Sequence, residues 1–261
     1  MTTVNPSYSI ECLLPPPIDI AYEADKNLPE YAILDPVTNS VNIGLVLIRD
    51  NNNAKITYQW KKSITSESEG FENISDNNAA NYTAIAPGWY TVDISAELNR
   101  TIKTSENAGI KVCKVTGMPV APTVQYEAED GTYADGTVNN LRSFEIDFNQ
   151  TAALKVKASV PNEDNLATEL VHDFYTYDWY IKEANGEWSE TPLKGNEKFV
   201  DSIVNDIDTS TLTVKNTSYV NSFRCVVTNH LNDQTAVYDH GVDNDANTDF
   251  TFIVINKGAV Q

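Results

Sequence analysis

The sequence predicts an all-β protein made of two tandem β-sandwiches. Its composition favours strands, because 13 Tyr and many Val and Thr stand against only 2 Met. No long window places apolar residues at the 3.6-residue spacing of an amphipathic helix. The tetrapeptide Thr-Tyr-Gln-Trp that ends at Trp60 recurs as Thr-Tyr-Asp-Trp ending at Trp179, which indicates an internal duplication. A chain of 261 residues is long enough for two such units.

The first 39 residues differ in composition from the rest of the chain. They hold six prolines, which remove backbone donors and favour an extended backbone. One interpretation is a leader followed by the first strand of the first sandwich. The alternative is an arm that docks on a neighbouring subunit through Pro15, Pro16, Pro17, Ile18 and Ile20. A triple proline is already extended, so ordering it on a partner costs little entropy.

The remaining residues divide into two predicted sandwiches, 40–118 and 119–261, the second with extra N-terminal strands. The boundary lies at the stiff segment 117–122, which contains two prolines. Alternation of apolar residues between turn clusters predicts the strands of both units. In the first unit these are 41–48, 55–62, 81–85, 89–94 and 109–115. In the second they are 123–128, 143–148, 152–160, 176–182, 211–214, 222–229 and 249–255.

Each tryptophan copy is followed on a later strand by an aromatic-x-aliphatic step, 90–92 in the first unit and 223–225 in the second. This arrangement resembles the immunoglobulin-like family. In that family a core Trp packs over an inter-sheet disulfide, and a Tyr two residues before the second Cys forms the tyrosine corner. The resemblance implies a corner position at Tyr90 and at Phe223, which lacks the hydroxyl. The core residues that it implies are Trp60, Tyr90, Val92, Trp179, Phe223 and Cys225.

The chain departs from the family pattern at the disulfide. The candidates for the second-strand cysteine position are Val46 and Ile48 in the first unit, and Val156 and Ala158 in the second. Neither unit can therefore close the inter-sheet bridge. Apolar contacts around each Trp are expected to hold the two sheets together instead.

Charge and cysteine content restrict the class of function. The formal net charge of −19 repels phosphate backbones, which argues against nucleic-acid binding. No apolar run is long enough to span a membrane, and no secretory signal is recognised at the start. Cys12, Cys113 and Cys225 are odd in number and far apart, which favours folding in a reducing cytoplasm.

The sequence offers little that indicates catalysis. The histidines, His172, His230 and His240, have no nucleophile motif or spaced carboxylate near them. The cysteines lack zinc-site spacing, and there is no phosphate-binding glycine loop. The chain is therefore predicted to be non-enzymatic and to need no cofactor.

Two candidate ligand sites remain. Asp243, Asp245, Asn247 and Asp249 alternate like the first oxygen ligands of a Ca²⁺ loop. However, Thr248 stands where the sharp turn needs glycine, so a solvated polar loop is the alternative interpretation. Trp188 lies near a turn and is a candidate for stacking on a sugar ring, with packing on a loop as its alternative.

Within the immunoglobulin-like family, acidic tandem units without disulfides are similar to auxiliary or decoration proteins of tailed bacteriophages. The resemblance implies a virion structural protein on the capsid head that assembles in the host cytoplasm. It would act by contacts with a capsid or other virion protein, or with itself as a homo-oligomer. The alternative is an adhesion or carbohydrate-binding module of a phage tail or bacterial surface protein, with a host glycan as its ligand.

Overall fold

The computed structural model describes residues 27–46, 55–74, 78–98, 101–104, 110–127, 131, 133–135, 142–147, 150–162, 164–183, 186–215, 220–238 and 252–257. The chain divides into two compact units, Met1–Thr116 and Gly117–Gln261. Within the described ranges the only helical segment is one 3-10 turn, Thr168–Leu170. The prediction of an all-β protein is confirmed.

The first unit contains eight described strands in two sheets. They are β1 (Tyr31–Ile33), β2 (Val41–Gly44), β3 (Lys55–Ser63), β4 (Glu72–Asn73), β5 (Asn81–Ala84), β6 (Gly88–Leu98), β7 (Thr101–Thr104) and β8 (Cys113–Thr116). The larger sheet has the order β1-β8-β6-β3-β4, and β7 pairs with β6 as well. Strands β2 and β5 form the second sheet. Only β1 and β8 pair in parallel among these strands.

Alternation along the strands builds the core of the first unit. On β6, every second residue from Tyr90 to Ala96 is buried, while Asp93 and Glu97 point to solvent. Ile43 and Ala84 supply the facing surface from the second sheet. Burying a large apolar side chain contributes about 1.5–3 kcal/mol, so this layer can close the sandwich through apolar contacts.

The second unit contains ten described strands, again in two sheets. They are β9 (Thr123–Glu127), β10 (Tyr133–Asp135), β11 (Arg142–Ile146), β12 (Thr151–Ser159), β13 (Phe174–Glu183), β14 (Val200–Asn205), β15 (Thr209–Lys215), β16 (Val220–Leu231), β17 (Gln234–Tyr238) and β18 (Phe252–Asn256). One sheet has the order β10-β9-β12-β15-β14. The other has the order β11-β18-β16-β13, with β17 also on β16.

The two units share one topology. The order β1-β8-β6-β3 of the first unit corresponds to β11-β18-β16-β13 of the second, and β2-β5 corresponds to β12-β15. In the first unit β1 pairs in parallel with β8, and in the second unit β11 pairs in parallel with β18. In both units two separate strands, β7 and β8 or β17 and β18, pair with the same long strand. The chain therefore folds as two immunoglobulin-like sandwiches, and Cys113 and Cys225 are both free thiols.

The N-terminal segment contributes to the first sandwich. Leu28 and Leu34 are buried in its core, and β1 lies beside β8. Residues 27–39 thus belong to this unit. The docking residues Pro15, Pro16, Pro17, Ile18 and Ile20 lie outside the described residues.

One predicted inward position in the first unit is wrong. Val46 is 49% exposed, whereas Ile43 and Leu45 are buried. A shift of one residue moves every side chain of a strand to the opposite face, and an apolar run such as 43–48 does not fix that register. Ile48 lies outside the described residues. In the second unit, Val156 and Ala158 are both buried on β12.

Candidate interaction surface

The two tryptophans occupy the same position in the two sandwiches. Trp60 pairs with Val92 across β3 and β6, and Trp179 pairs with Cys225 across β13 and β16. Both indole rings have 0% exposure, and Val92 and Cys225 are also buried. The strand-pair register therefore aligns the two units residue by residue.

Each buried indole N–H has a hydrogen-bond acceptor, as burial requires. Trp60 Nε1 donates to the carbonyl of Ala79 at 2.8 Å. Trp179 Nε1 donates to Ser210 Oγ at 2.8 Å, and Ser210 in turn donates to Asn205 Oδ1 at 2.6 Å. The first acceptor is main chain and the second is a side chain, so only the second can be removed by substitution.

Tyr90 makes the corner hydrogen bond that the family resemblance implies. Its hydroxyl donates to the carbonyl of Ala86, four residues upstream, at 2.7 Å. Burial raises the pKa of this hydroxyl far above its ordinary value. Phe223 is buried at the equivalent place in the second unit and fills it with a ring alone.

The two described cysteines lie in the two cores. Burial raises the pKa of the Cys113 thiol to about 12. Burial also raises the pKa of Cys225 well above its ordinary value. Both thiols therefore stay protonated at neutral pH and pack as small apolar groups.

The shared register allows the outward-facing residues of the two units to be compared. Four cross-strand pairs on β3 and β6 correspond to four on β13 and β16, and Lys114 on β8 corresponds to Ile253 on β18. The first-unit pairs are Lys55–Glu97, Thr57–Ser95, Gln59–Asp93 and Lys61–Thr91. The second-unit pairs are Phe174–His230, Thr176–Thr228, Asp178–Val226 and Tyr180–Arg224.

The outer face of the first unit is charged. Five of its nine compared side chains are ionic: Lys55, Glu97, Asp93, Lys61 and Lys114. Lys61 and Asp93 form an ion pair. Such a mixture of signs is typical of a face that is solvated.

The equivalent face of the second unit is mostly uncharged. Only Asp178 and Arg224 are ionic among its nine compared side chains, and the next outward pair, Lys182–Ser222, adds one lysine. We call this surface the β13–β16 face and define it as the outward side chains of β13 and β16 with Ile253 of β18 and Val237 of β17. At one end the ring of Phe174, which is 53% exposed, stacks on His230 with centroids 4.3 Å apart. His230 Nε2 lies 3.1 Å from Thr176 Oγ1, and this hydrogen bond fixes the orientation of the His230 imidazole ring.

The other end of the β13–β16 face holds a stacked arginine. The guanidinium carbon of Arg224 lies 4.6 Å from the ring centroid of Trp188 and 5.3 Å from that of Tyr180. Trp188 lies alongside β13 through a bridge to Lys182. The indole predicted to contact a glycan is therefore half-buried and packs on an arginine. Stacking of this kind holds the guanidinium in one orientation.

The opposite outer face of the second unit is polar and carries ion pairs. Lys157 lies 3.3 Å from Asp208, and Lys215 lies 3.3 Å from Asp201. Thr211 and Thr213 of β15 lie between these pairs on the outward side of the sheet. The uncharged character is thus confined to one face of this sandwich.

His172 belongs to a buried network rather than to the β13–β16 face. Its Nδ1 lies 2.8 Å from Asn229 Oδ1. The Asn229 amide nitrogen donates to the carbonyls of Val120 and Val171 at 3.0 and 3.3 Å, so Oδ1 accepts the proton of His172 Nδ1. The network ties residue 120 to the second sandwich.

The predicted Ca²⁺ ligands, Asp243, Asp245, Asn247 and Asp249, lie outside the described residues, as do His240 and Cys12. Among the residues that are described, no group of three His, Cys, Asp or Glu side chains is arranged to hold a metal ion. The same residues include no helix long and apolar enough to cross a membrane.

Neither a protein-family model nor a curated protein sequence matches the chain. Similar solved structures include titin domains Z1Z2 in complex with telethonin, with 10% identity, 90% of this chain and 95% of that chain covered, and a TM-score of 0.30. Three N-terminal domains of the highly immunogenic outer capsid protein of bacteriophage RB49 are 14% identical, with 89% and 68% covered and a TM-score of 0.39. The four N-terminal Ig domains of Dscam1 are 11% identical, with 90% and 53% covered and a TM-score of 0.26. At these values the assignment of the fold rests on the strand order and register described above.

The sequence patterns identified the core and missed the β13–β16 face. A signal was nevertheless present. Aligning the two copies on Trp60 and Trp179 places Phe174 opposite Lys55, and aligning them on the later step places Val226 opposite Asp93. The second unit has uncharged side chains at these positions, where the first unit has charged ones. Such a difference indicates that the surface of the second unit has a separate role.

Proposed function

We propose that the chain is a non-enzymatic structural protein that works by protein–protein contacts, and that the β13–β16 face is its contact surface. One observation carries the proposal: at equivalent outward positions, the second unit replaces charged side chains by Phe174, Val226, Tyr180 and Ile253. Apolar and aromatic side chains on a flat sheet face contribute to binding when a partner removes them from water.

The stacked side chains strengthen this assignment. Phe174 stacks on His230, and the guanidinium of Arg224, which is buried, packs on the rings of Tyr180 and Trp188. Ordering long side chains costs about 0.5–1.5 kcal/mol each on binding, and groups that are already ordered avoid most of that cost. Aromatic residues and arginine are also the types that most often dominate binding energy at protein interfaces.

The finer proposal is an auxiliary or decoration protein on the head of a phage particle. Support comes from the two sandwiches, which close around Trp60 and Trp179 with free buried thiols. A fold of this kind forms in a reducing cytoplasm, where virions assemble, and does not depend on later oxidation. The net charge of −19 keeps a protein that is displayed in many copies from aggregating.

In this proposal the arm that contains Pro15, Pro16, Pro17, Ile18 and Ile20 attaches the chain to the capsid lattice. The structure limits how the arm can be removed. A deletion of residues 1–36 would take away β1 together with Leu28 and Leu34 of the core. A deletion of 1–26 leaves the described first sandwich complete and is the appropriate test.

The experiment is quantitative copurification of the chain with assembled particles. We expect a fixed stoichiometry for the full chain and loss of incorporation for the 1–26 deletion, with unchanged thermal unfolding of both variants. Absence of the full chain from purified particles would refute the virion assignment. Normal incorporation of the deletion variant would refute the role of the arm.

A second candidate function is glycan binding by an adhesion module. The favouring observation is the pair of half-buried rings Tyr180 and Trp188, which pack on the buried guanidinium of Arg224 and offer a stacking surface. Binding to a glycan array that is lost on Trp188→Ala and kept by Phe174→Glu would support this function. An array without any bound glycan would exclude the ligands tested.

A further inference from the structure

We infer that the partner covering the β13–β16 face is a second copy of this chain, which packs the same face against itself. The inference rests on the proposed function, because it names the partner of the same surface. A pair formed in this way is isologous, so every contact occurs twice about a two-fold axis.

Charge is the first argument. The chain carries a formal charge of −19, so most approaches of one copy to another are repulsive. The outward side chains of β13 and β16 depart from this rule. Their ionic groups are Asp178, Lys182 and Arg224, which together give a charge of +1. Two copies of this face therefore add little repulsion when they meet, and juxtaposed like charges are what suppress a wrong pairing.

The acidic character of the rest of the chain also disfavours a basic partner for this face. A strongly basic protein would be attracted to the acidic remainder of the chain rather than to a face with one carboxylate. The opposite face of the same sandwich offers carboxylates at Asp201 and Asp208 next to their lysine partners. The uncharged face instead suits a surface with the same composition as its own.

Size is the second argument. Strand β13 has 10 residues and so runs for about 34 Å at roughly 3.4 Å per residue. Three adjacent strands, β13, β16 and either β17 or β18, span about 14 Å at roughly 4.8 Å per strand. The face thus measures about 500 Å² in projection, and two copies together bury about 1,000 Å². That area lies at the lower limit of specific interfaces, so the expected dimer dissociates in the micromolar range.

The side chains provide the third argument. The exposed ring of Phe174 and the exposed Val237 lie toward one end of the face, and Tyr180 with Trp188 lies toward the other. Under a two-fold axis that lies in the interface and runs across the strands at the middle of the face, the aromatic group of one end meets the aromatic group of the other end. Offset aromatic contacts contribute about 0.5–1.5 kcal/mol beyond their buried area.

The test is sedimentation velocity of the full chain over about 1–200 μM, the range in which a dimer of this interface size dissociates. The disrupting variant is Phe174→Glu with Val226→Lys. It keeps the net charge, and each new charge faces a compatible partner, since residue 174 pairs with His230 and residue 226 with Asp178. The control is Thr211→Glu with Thr213→Lys on the opposite face, which adds the same charges and places the glutamate beside Lys155.

We expect the unmodified chain and the control to form dimers, and the disrupting variant to associate at least about 10-fold more weakly, as the loss of one important interface residue implies. Higher salt should strengthen the dimer, because it screens the repulsion between two acidic chains. Circular dichroism serves to check that each variant is folded. A chain that stays monomeric throughout this range, or a disrupting variant that dimerises like the control, overturns the inference.

These outcomes are separable from the outcome for the proposed function. If the unmodified chain is monomeric and the disrupting variant nevertheless loses incorporation into particles, the face binds another protein and only the present inference is wrong. If the chain dimerises through this face but is absent from particles, the inference stands and the virion assignment is wrong.

Discussion

Replacing Ser210 by alanine should destabilise the second sandwich out of proportion to the single oxygen atom removed. Trp179 and Ser210 both have 0% exposure, and the indole N–H donates to the serine oxygen at 2.8 Å. Without that oxygen the N–H remains buried, where water cannot reach it. A buried donor left without an acceptor costs about 1–3 kcal/mol. Asn205, which accepts from Ser210, is exposed and can turn to water, so the indole accounts for most of the loss.

The assay is urea unfolding followed by far-UV circular dichroism. With a denaturant slope of about 2 kcal/mol per molar, a loss of about 2 kcal/mol lowers the midpoint of the second unit by roughly 1 M. Thr211→Ala is the matched control, because residue 211 lies next to Ser210 on the same strand but faces outward. It should shift the midpoint by much less.

A double-mutant cycle separates the hydrogen bond from other effects. Trp179→Phe removes the donor, so Ser210→Ala should cost little when it is made in that background. The expected coupling between the two substitutions is about 1–2 kcal/mol. Additive costs, or equal effects of Ser210→Ala and Thr211→Ala, would refute the reasoning that the buried indole N–H depends on this serine.

Three further predictions concern the first core, the Cys113 thiol and the predicted Ca²⁺ ligands. Tyr90→Phe removes the hydrogen bond to Ala86 and should lower the stability of the first unit by about 1–1.5 kcal/mol, seen as a fall of roughly 4–8 °C in its unfolding temperature; no change would mean that the corner bond contributes nothing. Because burial raises the pKa of Cys113 to about 12 from an unfolded value of 9.0, folding favours the protonated thiol, and the stability of the first unit should fall as pH rises from 9 toward 12. Cys113→Ala should flatten that dependence in unfolding measured across this pH range, and an unchanged slope would contradict the assignment. If residues 243–249 bind Ca²⁺, added Ca²⁺ should raise the unfolding temperature of the second unit relative to a chelator, whereas equal temperatures remove the site.

The sequence allowed the core to be predicted more fully than the edges. The repeated tryptophan motif and the aromatic-x-aliphatic step after it resemble the immunoglobulin-like pattern, and that resemblance placed Trp60, Val92, Trp179 and Cys225 in the core. Their pairing register required the fold, because partners such as Trp60 and Val92 lie more than thirty residues apart. Even so, each tryptophan motif is followed by an aromatic-x-aliphatic step on a later strand, which indicated that the two units pair these strands in the same way.

Short edge strands were missed for a physical reason. Strands β4 and β7 carry mostly polar residues, and in β14 and β17 only Val200 is fully buried, so burial on one side is too weak to impose a clear alternation. They form because β3, β6, β15 and β16 present free main-chain groups to pair with. Tertiary context therefore decides these elements.

The candidate site was missed for a different reason. Alternation along a strand such as 176–182 identifies the inward residues, but it does not distinguish an outward residue that is solvated from one that contacts a partner. Phe174 lies just before the predicted start of that strand, and His230 lies just after the predicted end of its partner. The predicted boundaries, two residues short at Phe174 and one residue short at His230, thus left this aromatic pair outside both strands.

The residue-by-residue equivalence of the two sandwiches has a practical consequence for protein engineering. Strands β3 and β6 hold the same register as β13 and β16, so outward residues can be exchanged between these strands without disturbing the tryptophan layers. Each half of the molecule is a ready recipient for the surface chemistry of the other. In a variant with the outward residues of the two units exchanged, the overall composition would be unchanged. Comparing it with the original chain would separate the contribution of the strands from that of their outward side chains.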